Sequence, residues 1–247
     1  MRVLHDWLLT PERVAVHWPS RTAVVADLHL GYDEARRRRG DAIPEESVLA
    51  PLEPLGKVLC EYRIGHLVLA GDLLEAANCR EALASFETWC REKAIQRIAL
   101  VPGNHDAGLP SLASDTPLTI HARGVRVAEW QVIHGEGRLP NGPLVQGHEH
   151  PWVRWSPKRR TIRPRSTRSR IASGTIDASC YLSDSRRLIL PAYSQEAAGV
   201  NVLSSRRWHS FRCHAIAGDR VVDLGEVSTL NRRLSATNAH YREPTAD

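Results

Sequence analysis

At 247 residues, 42% hydrophobic and 25% charged, with a net charge of +5, the chain has the balance of a soluble globular protein with a substantial core. No apolar run nears the roughly 18 residues that span a bilayer, and Asp6 interrupts the first ten residues, which argues against a membrane span or secretory leader and for a cytoplasmic place. The five cysteines, at 60, 79, 90, 180 and 213, are odd in number and make no CxxC pair, which argues against a disulfide framework and a Cys-rich zinc site.

The first half alternates between strand and helix patterns. Residues 13–18 and 22–26 are short β-rich runs. Val48, Leu49, Leu52, Leu55 and Leu59 recur at helical spacing and predict a helix over 45–62, with Pro51 and Pro54 disturbing its first turns. A buried strand is expected over 66–70, a second helix over 80–93 and a further strand over 97–101. This alternation predicts an α/β sheet. After Gly103 the pattern turns β-rich, with strands expected over 125–133, 144–146, 179–182, 188–190, 199–203, 211–216 and 220–224. These predict a second sheet packed on the first. Residues 155–173 are rich in Arg, Ser, Thr and Pro and predict an exposed loop. No internal repeat divides the chain, and a single domain over 1–247 is expected, with a basic loop at about 154–173.

Polar residues recur where the apolar runs end. Val24-Val25-Ala26 leads into Asp27-Leu28-His29, and Leu67 to Ala70 into Gly71-Asp72. Ile98 to Val101 leads into Gly103-Asn104-His105-Asp106, Gln131 to Ile133 into His134-Gly135, and Leu144 to Gln146 into Gly147-His148-Glu149-His150. The C-terminal edge of an open α/β sheet is where ligands bind. Carboxylate, amide oxygen and imidazole without thiolate suit Mn, Fe or Zn. In Asp27-x-His29 and His148-x-His150, extended alternation would point both side chains to one side. Glycines at 71, 103, 135 and 147 would let the backbone turn sharply there. Any one block alone is more often chance than a site; five in this order are not.

These five blocks together resemble the signature of the calcineurin-like metallophosphoesterases. The resemblance implies a four-layer α/β/β/α sandwich and two divalent metal ions, Mn2+ foremost, with Fe, Zn and Ni as alternatives. It implies that Asp27, His29, Asp72 and His150 hold one ion, and that Asp72 bridges to a second held by Asn104, His134 and His148. His105 would be the catalytic histidine, oriented by Asp106. Ala26 to Tyr32 followed by arginines, Gly147 to Pro151, and Leu190-Pro191-Ala192-Tyr193-Ser194 are similar to a narrower subgroup. It comprises archaeal-type phosphoesterases related to the SbcD/Mre11 nucleases, and DNA-ligase-associated phosphoesterases. DNA-repair partners are implied by that subgroup alone. The chain departs from some relatives in having His134-Gly135-Glu136 where they have His-Gly-His.

The function expected is hydrolysis of a phosphoester by metal-activated hydroxide, with the two ions neutralising the equatorial oxygens and His105 serving the leaving group. Glu75 is a candidate support for a ligand histidine, or equally a solvated Glu. Two basic segments follow the first and last blocks: Arg36, Arg37, Arg38 and Arg39 after Asp27-x-His29, and residues 154–170 after His150. The latter hold eight basic residues and no acidic ones, which leaves −3 for the rest of the chain. They point to a DNA or RNA substrate, with Trp152 and Trp155 available to stack on bases. The alternatives are a small-molecule or nucleotide phosphoesterase and a non-catalytic nucleic-acid-binding protein.

Overall fold

The first sheet has seven strands, β1 (Arg2–Val3), β2 (Trp7–Leu9), β3 (Ala15–His17), β4 (Thr22–Val25), β5 (His66–Ala70), β6 (Arg97–Val101) and β7 (Leu118–Ile120), in sequence order. The first four are antiparallel and the last four parallel, β4 serving both arms. A computed structural model of the chain describes residues 1–43, 49–76, 78–109, 118–156 and 175–240. Three helices belong to this half: α1 (Tyr32–Arg38), α2 (Glu53–Glu61) and α3 (Arg80–Glu92).

The second sheet holds β8 (Val125–Val127), β9 (Trp130–Ile133), β10 (Leu144–Gln146), β11 (Pro151–Trp155), β12 (Ile176–Ser183), β13 (Arg187–Ile189), β14 (Val200–Asn201), β15 (Arg212–Ala217) and β16 (Arg220–Glu226). Its central strands β9, β10 and β13 are parallel. The helix α4 (Val227–His240) follows β16.

Strand alternation separates the layers. Ala23, Val25, Leu67 and Leu69 pack with Leu55, Val58, Leu59, Phe86 and Trp89 of the helices. Their neighbours Val24, Ala26, Val68 and Ala70 face the other way, onto Val132, Val145, Tyr181 and Leu188 of the second sheet. Cys180, Leu182, Ile189 and Cys213 turn outward onto Trp208, Phe211, Val227 and Leu230. Three apolar interfaces therefore stack four layers, helices, sheet, sheet and helix, the α/β/β/α sandwich expected. Each large side chain so buried contributes about 1.5–3 kcal/mol.

Several elements differ from the sequence reading. Residues 44–48 lie outside the described ones, and the expected helix over 45–62 is a 3-10 turn at Ala50–Leu52 followed by α2. Pro51 and Pro54 each occupy the first turn of their own segment, where a missing N–H costs nothing. The run 125–133 is not one strand but a hairpin, turning at Ala128 with φ 53. Arg154 and Trp155, expected to open the basic loop, instead end β11. The rest of the expected basic loop, from 157 on, lies outside the described residues. The helices α1 and α4 had no counterpart in the reading.

Candidate metal centre

Every block found in the sequence sits just beyond the C-terminal end of a parallel strand, after β4, β5 and β6 in one sheet and β9 and β10 in the other. The parallel edges of the two sheets thus deliver their loops to one place. The loops after β4 and β5 are zipped together by backbone bonds. Asp27 N donates to Gly71 O at 3.1 Å, His29 N to Asp72 O at 2.9 Å, and Glu75 N to Leu30 O at 2.9 Å.

The backbone there is not extended. Asp27 (φ 55), His29 (φ 49), Asp72 (φ 46), His148 (φ 67) and His150 (φ 40) are all left-handed. This corrects the expectation that simple alternation aims Asp27 and His29. Left-handed non-glycine residues are costly and persist where surrounding structure holds them, which is common at functional sites. Glycines act here more through space than through freedom. A Cβ on Gly71 would lie 1.9 Å from His134 Nδ1, one on Gly103 2.2 Å from Asp72 Oδ1, and one on Gly147 2.7 Å from Asp27 Oδ2.

The side chains form two neighbourhoods. Asp27, His29 and His150 offer ligand atoms within 4.8 Å of one another, as do Asp27, Asp72 and His134. His150 Nε2 lies 3.5 Å from Asp27 Oδ2, and His29 Nε2 4.0 Å from Asp72 Oδ2. Around His134 Nε2 stand Asn104 Oδ1 at 3.2 Å, His148 Nδ1 at 3.1 Å and Asp72 Oδ2 at 3.6 Å. Asp72 touches both neighbourhoods, and Asp27 reaches the second as well, its Oδ1 3.6 Å from His134 Nδ1 and its Oδ2 accepting from His148 N at 2.9 Å.

A divalent ion fits this set on three counts. The longer of these gaps exceed hydrogen-bond length, and suit two ligands each about 2.1 Å from a shared cation. Asp27 Oδ1, His29 Nε2 and His150 Nε2 are buried without a hydrogen-bond partner, an arrangement costly unless something satisfies them. The far ring nitrogens are anchored: His29 Nδ1 on Glu75 Oε2 at 3.1 Å, His134 Nδ1 on Ala70 O at 3.3 Å, His150 Nδ1 on Ala198 O at 3.2 Å. Such anchoring leaves Nε2 as the free donor of its lone pair.

His105 stands beside both acids' neighbours. Its ring centroid is 4.8 Å from that of His29, and its own N–H donates to Asp72 Oδ1 at 2.9 Å. Its Nδ1 lies 2.8 Å from the Glu75 carbonyl. The orienting contact expected from Asp106 is therefore made by Glu75. Buried Asp106 instead accepts from the backbone N–H groups of Gly103, Leu73 and Leu74 at 3.0, 3.3 and 3.3 Å, stapling two site loops together.

Burial pulls the His29 pKa down, against the opposing charges of Asp72, Asp27 and Glu75. At His150 burial also pulls down, but the Asp27 carboxylate and the Ala198 carbonyl outweigh it, so the net shift is upward. Burial raises the Asp106 carboxyl, while its three backbone donors oppose it.

Residues 20–168 match the model of the calcineurin-like phosphoesterases. The chain belongs to that family. Calcineurin-like phosphoesterases imply a dinuclear divalent-metal centre, for which the donors above are the candidates. Among solved structures the chain is similar to the Pseudomonas putida nuclease MPE, with TM-score 0.65 and 21% identity over 88% of this chain and 94% of that one. At that identity the likeness establishes the fold. No curated protein matches the chain.

The basic run behaves less uniformly than its sequence suggests. Arg36 Nε pairs with Asp41 at 2.9 Å and Arg38 with Glu34 at 2.5 Å. Arg37 lines a cavity of about 680 Å³ that opens beside His29, while Arg39 is exposed at the end of α1. Glu136 is exposed. Trp152 is held by Asp177 through its indole N–H. Sequence reasoning missed the carbonyls of Ala70, Glu75 and Ala198; a backbone carbonyl carries no residue-type signal.

Proposed function

We propose that this calcineurin-like phosphoesterase is a dinuclear-metal phosphodiesterase acting on nucleic acid, with 1–247 working as one domain. The observation that carries the hydrolytic part is the convergence of buried, unpartnered Asp27, His29 and His150 donors on the His134, His148 and Asn104 group, with Asp72 between them. Asp27, His29, Asp72 and His150 would hold one ion, and Asp72, Asn104, His134 and His148 the other, with Mn2+ foremost and Fe, Zn or Ni as alternatives for this oxygen and imidazole set. Two divalent ions held there would neutralise phosphoryl charge and acidify water.

The chain's own groups do the rest. Asp106 and the zipped loops hold the ligands in register. His105, fixed through Nδ1 on Glu75, presents Nε2 to the leaving oxygen and stabilises or protonates it. The likeness to a protein titled a nuclease supports a nucleic-acid substrate, as does Arg37 beside the site. One observation favours the second reading, a small phosphoester. Around that cavity Glu12, Asp33, Glu34, Glu196 and Asp219 outnumber Arg13, Arg37 and Lys57, a charge balance that favours a small ester there over a polyanion.

Incubation with Mn2+ and labelled single- and double-stranded DNA, mononucleotides and bis-p-nitrophenyl phosphate decides between them. DNA cleavage lost in His105→Ala is expected. Turnover of small esters with intact DNA would overturn the nucleic-acid assignment in favour of the second reading.

A further inference from the structure

Asp27 and His150, distant in sequence, hang on one segment. Tyr193 N donates to the Ala26 carbonyl at 2.8 Å and Ser194 N to the Asp27 carbonyl at 3.1 Å. Further along, the Ala198 carbonyl meets His150 Nδ1 at 3.2 Å, and Val200 N donates to the His150 carbonyl at 2.9 Å. Residues 193–200 thus form a strap across two ligands that both have left-handed backbone, φ 55 and φ 40. Such conformations need bracing from outside.

The strap is held at its near end. The Tyr193 hydroxyl donates to Pro51 O at 2.6 Å and accepts from Leu55 N at 3.2 Å, tying it to the start of α2. Its carbonyls are gripped by a cation: Arg13 donates through one terminal nitrogen to Tyr193 O at 3.0 Å and to Ser194 O at 3.1 Å. Arg13 itself is half-buried and left-handed, φ 63, on the turn between β2 and β3. Thr10 N closes that turn on Val14 O at 3.1 Å. The fully buried Tyr181 hydroxyl reaches the same two residues' carbonyls at 2.8 and 3.2 Å. A rigid turn therefore presents a planar donor to a pair of carbonyls, a task for which a flexible ammonium is less suited. Arg13, His29, Tyr193 and Ser194 line one cavity.

We propose that Arg13 is a positioning residue for the metal centre, fixing Asp27 and His150 as ligands of one ion through the 193–200 strap. This rests on the metal-centre reading above. It predicts a selective defect: the ion held by Asp27, His29 and His150 loosens most, while the one held by Asn104, His134 and His148, which Asp27 touches only through His148 N and His134, loosens far less.

The experiment is a Mn2+ titration of metal-free wild type, Arg13→Met, Arg13→Lys and Arg21→Met. Bound metal is followed by electron paramagnetic resonance and the fold by circular dichroism. Arg21 is the control, left-handed at φ 50 and donating to the Tyr62 carbonyl at 3.2 Å, at the opposite end of β4. Wild type and Arg21→Met should bind a coupled pair of ions. Arg13→Met should lose about tenfold or more in affinity for one of the two, the scale of losing a support behind a ligand, and Arg13→Lys should recover part. Unchanged Mn2+ affinity with a raised KM would make Arg13 a substrate-binding residue and overturn the proposal. Equal weakening of both ions, or weakening in Arg21→Met as well, would reduce it to general stability and also overturn it. Should Arg13→Met fail to fold, Arg13→Lys decides by the same selectivity. A wild type that takes up no Mn2+ sinks the metal-centre reading itself, a result distinct from these.

Discussion

Glu75 Oε2 lies 3.1 Å from His29 Nδ1, and the carbonyl of the same Glu75 lies 2.8 Å from His105 Nδ1. One residue thus orients a candidate ligand with its side chain and the candidate catalytic histidine with its backbone. The His29 contact depends on the residue type and the His105 contact does not. Glu75→Ala should therefore weaken Mn2+ binding by about 10–100-fold, while at saturating Mn2+ kcat falls far less. Glu75→Gln keeps an acceptor oxygen and should lie between. Calorimetric titration with Mn2+, alongside turnover at saturating metal, separates the two effects; a fall in kcat equal to that in affinity would contradict the division of labour.

His105 shares a 4.8 Å neighbourhood with His29 and Asp72, so it is geometrically eligible as a ligand too. Its Nδ1 is committed to the Glu75 carbonyl, and the other donors already complete two sets. His105→Ala should retain two Mn2+ per chain and lose about 10²–10⁴-fold in kcat, the usual range for a positioned acid. Metal content by atomic emission on the dialysed variant checks it. Loss of one ion would move His105 into the ligand set.

The candidate site was legible in the sequence because its donors are side chains, and only certain residue types serve. Asp27, His29, Asp72, Asn104, His134, His148 and His150 all follow apolar strands, and the fold brings all seven together. What was not legible depends on tertiary contact. Left-handed backbone at Asp27 and His150 follows from the zipped loops and the strap, not from any local signal. The support proposed for Arg13 runs through carbonyls far along the chain. The hairpin at Ala128 lacks the Gly or Asn that usually marks such a turn. The short helix α1 was read only as a basic run, although Asp33 and Glu34 at its start and Arg36 to Arg38 at its end suit the helix dipole.

Glycine at 103 is required for space. A Cβ there would sit 2.2 Å from Asp72 Oδ1 and 2.7 Å from Asp72 N, backbone that cannot swing away. Gly103→Ala should displace Asp72, the carboxylate shared by both neighbourhoods, and abolish paired Mn2+ binding. Gly137→Ala makes the comparison. That glycine has φ +76 but nothing within 4 Å, so alanine adds only conformational strain of about 1–2 kcal/mol. Thermal unfolding and Mn2+ titration of both should show a metal defect confined to Gly103→Ala. Paired binding that survived in Gly103→Ala would mean that Asp72 is not shared.

His214 should give the fold a pH dependence away from the candidate metal centre. It is 2% exposed, with Nε2 2.8 Å from Ser183 Oγ and Nδ1 3.8 Å from Asp223 Oδ1. Burial holds its pKa below the ordinary 6.5, the Asp223 charge opposing. Between the lowered folded value and 6.5 the unfolded chain carries a proton that the folded chain refuses, so the unfolded state binds more protons. Its contribution is therefore present in full above pH 6.5 and is lost as pH falls toward the folded value. His17, also lowered by burial, acts in the same sense. Urea unfolding of metal-free protein at about pH 8, 7, 6 and 5 should show stability falling below neutrality. His214→Gln, which keeps a partner for Ser183, should flatten that fall. Because other titrating groups are common to both proteins, the difference between their slopes isolates His214, and identical slopes would remove it as a cause.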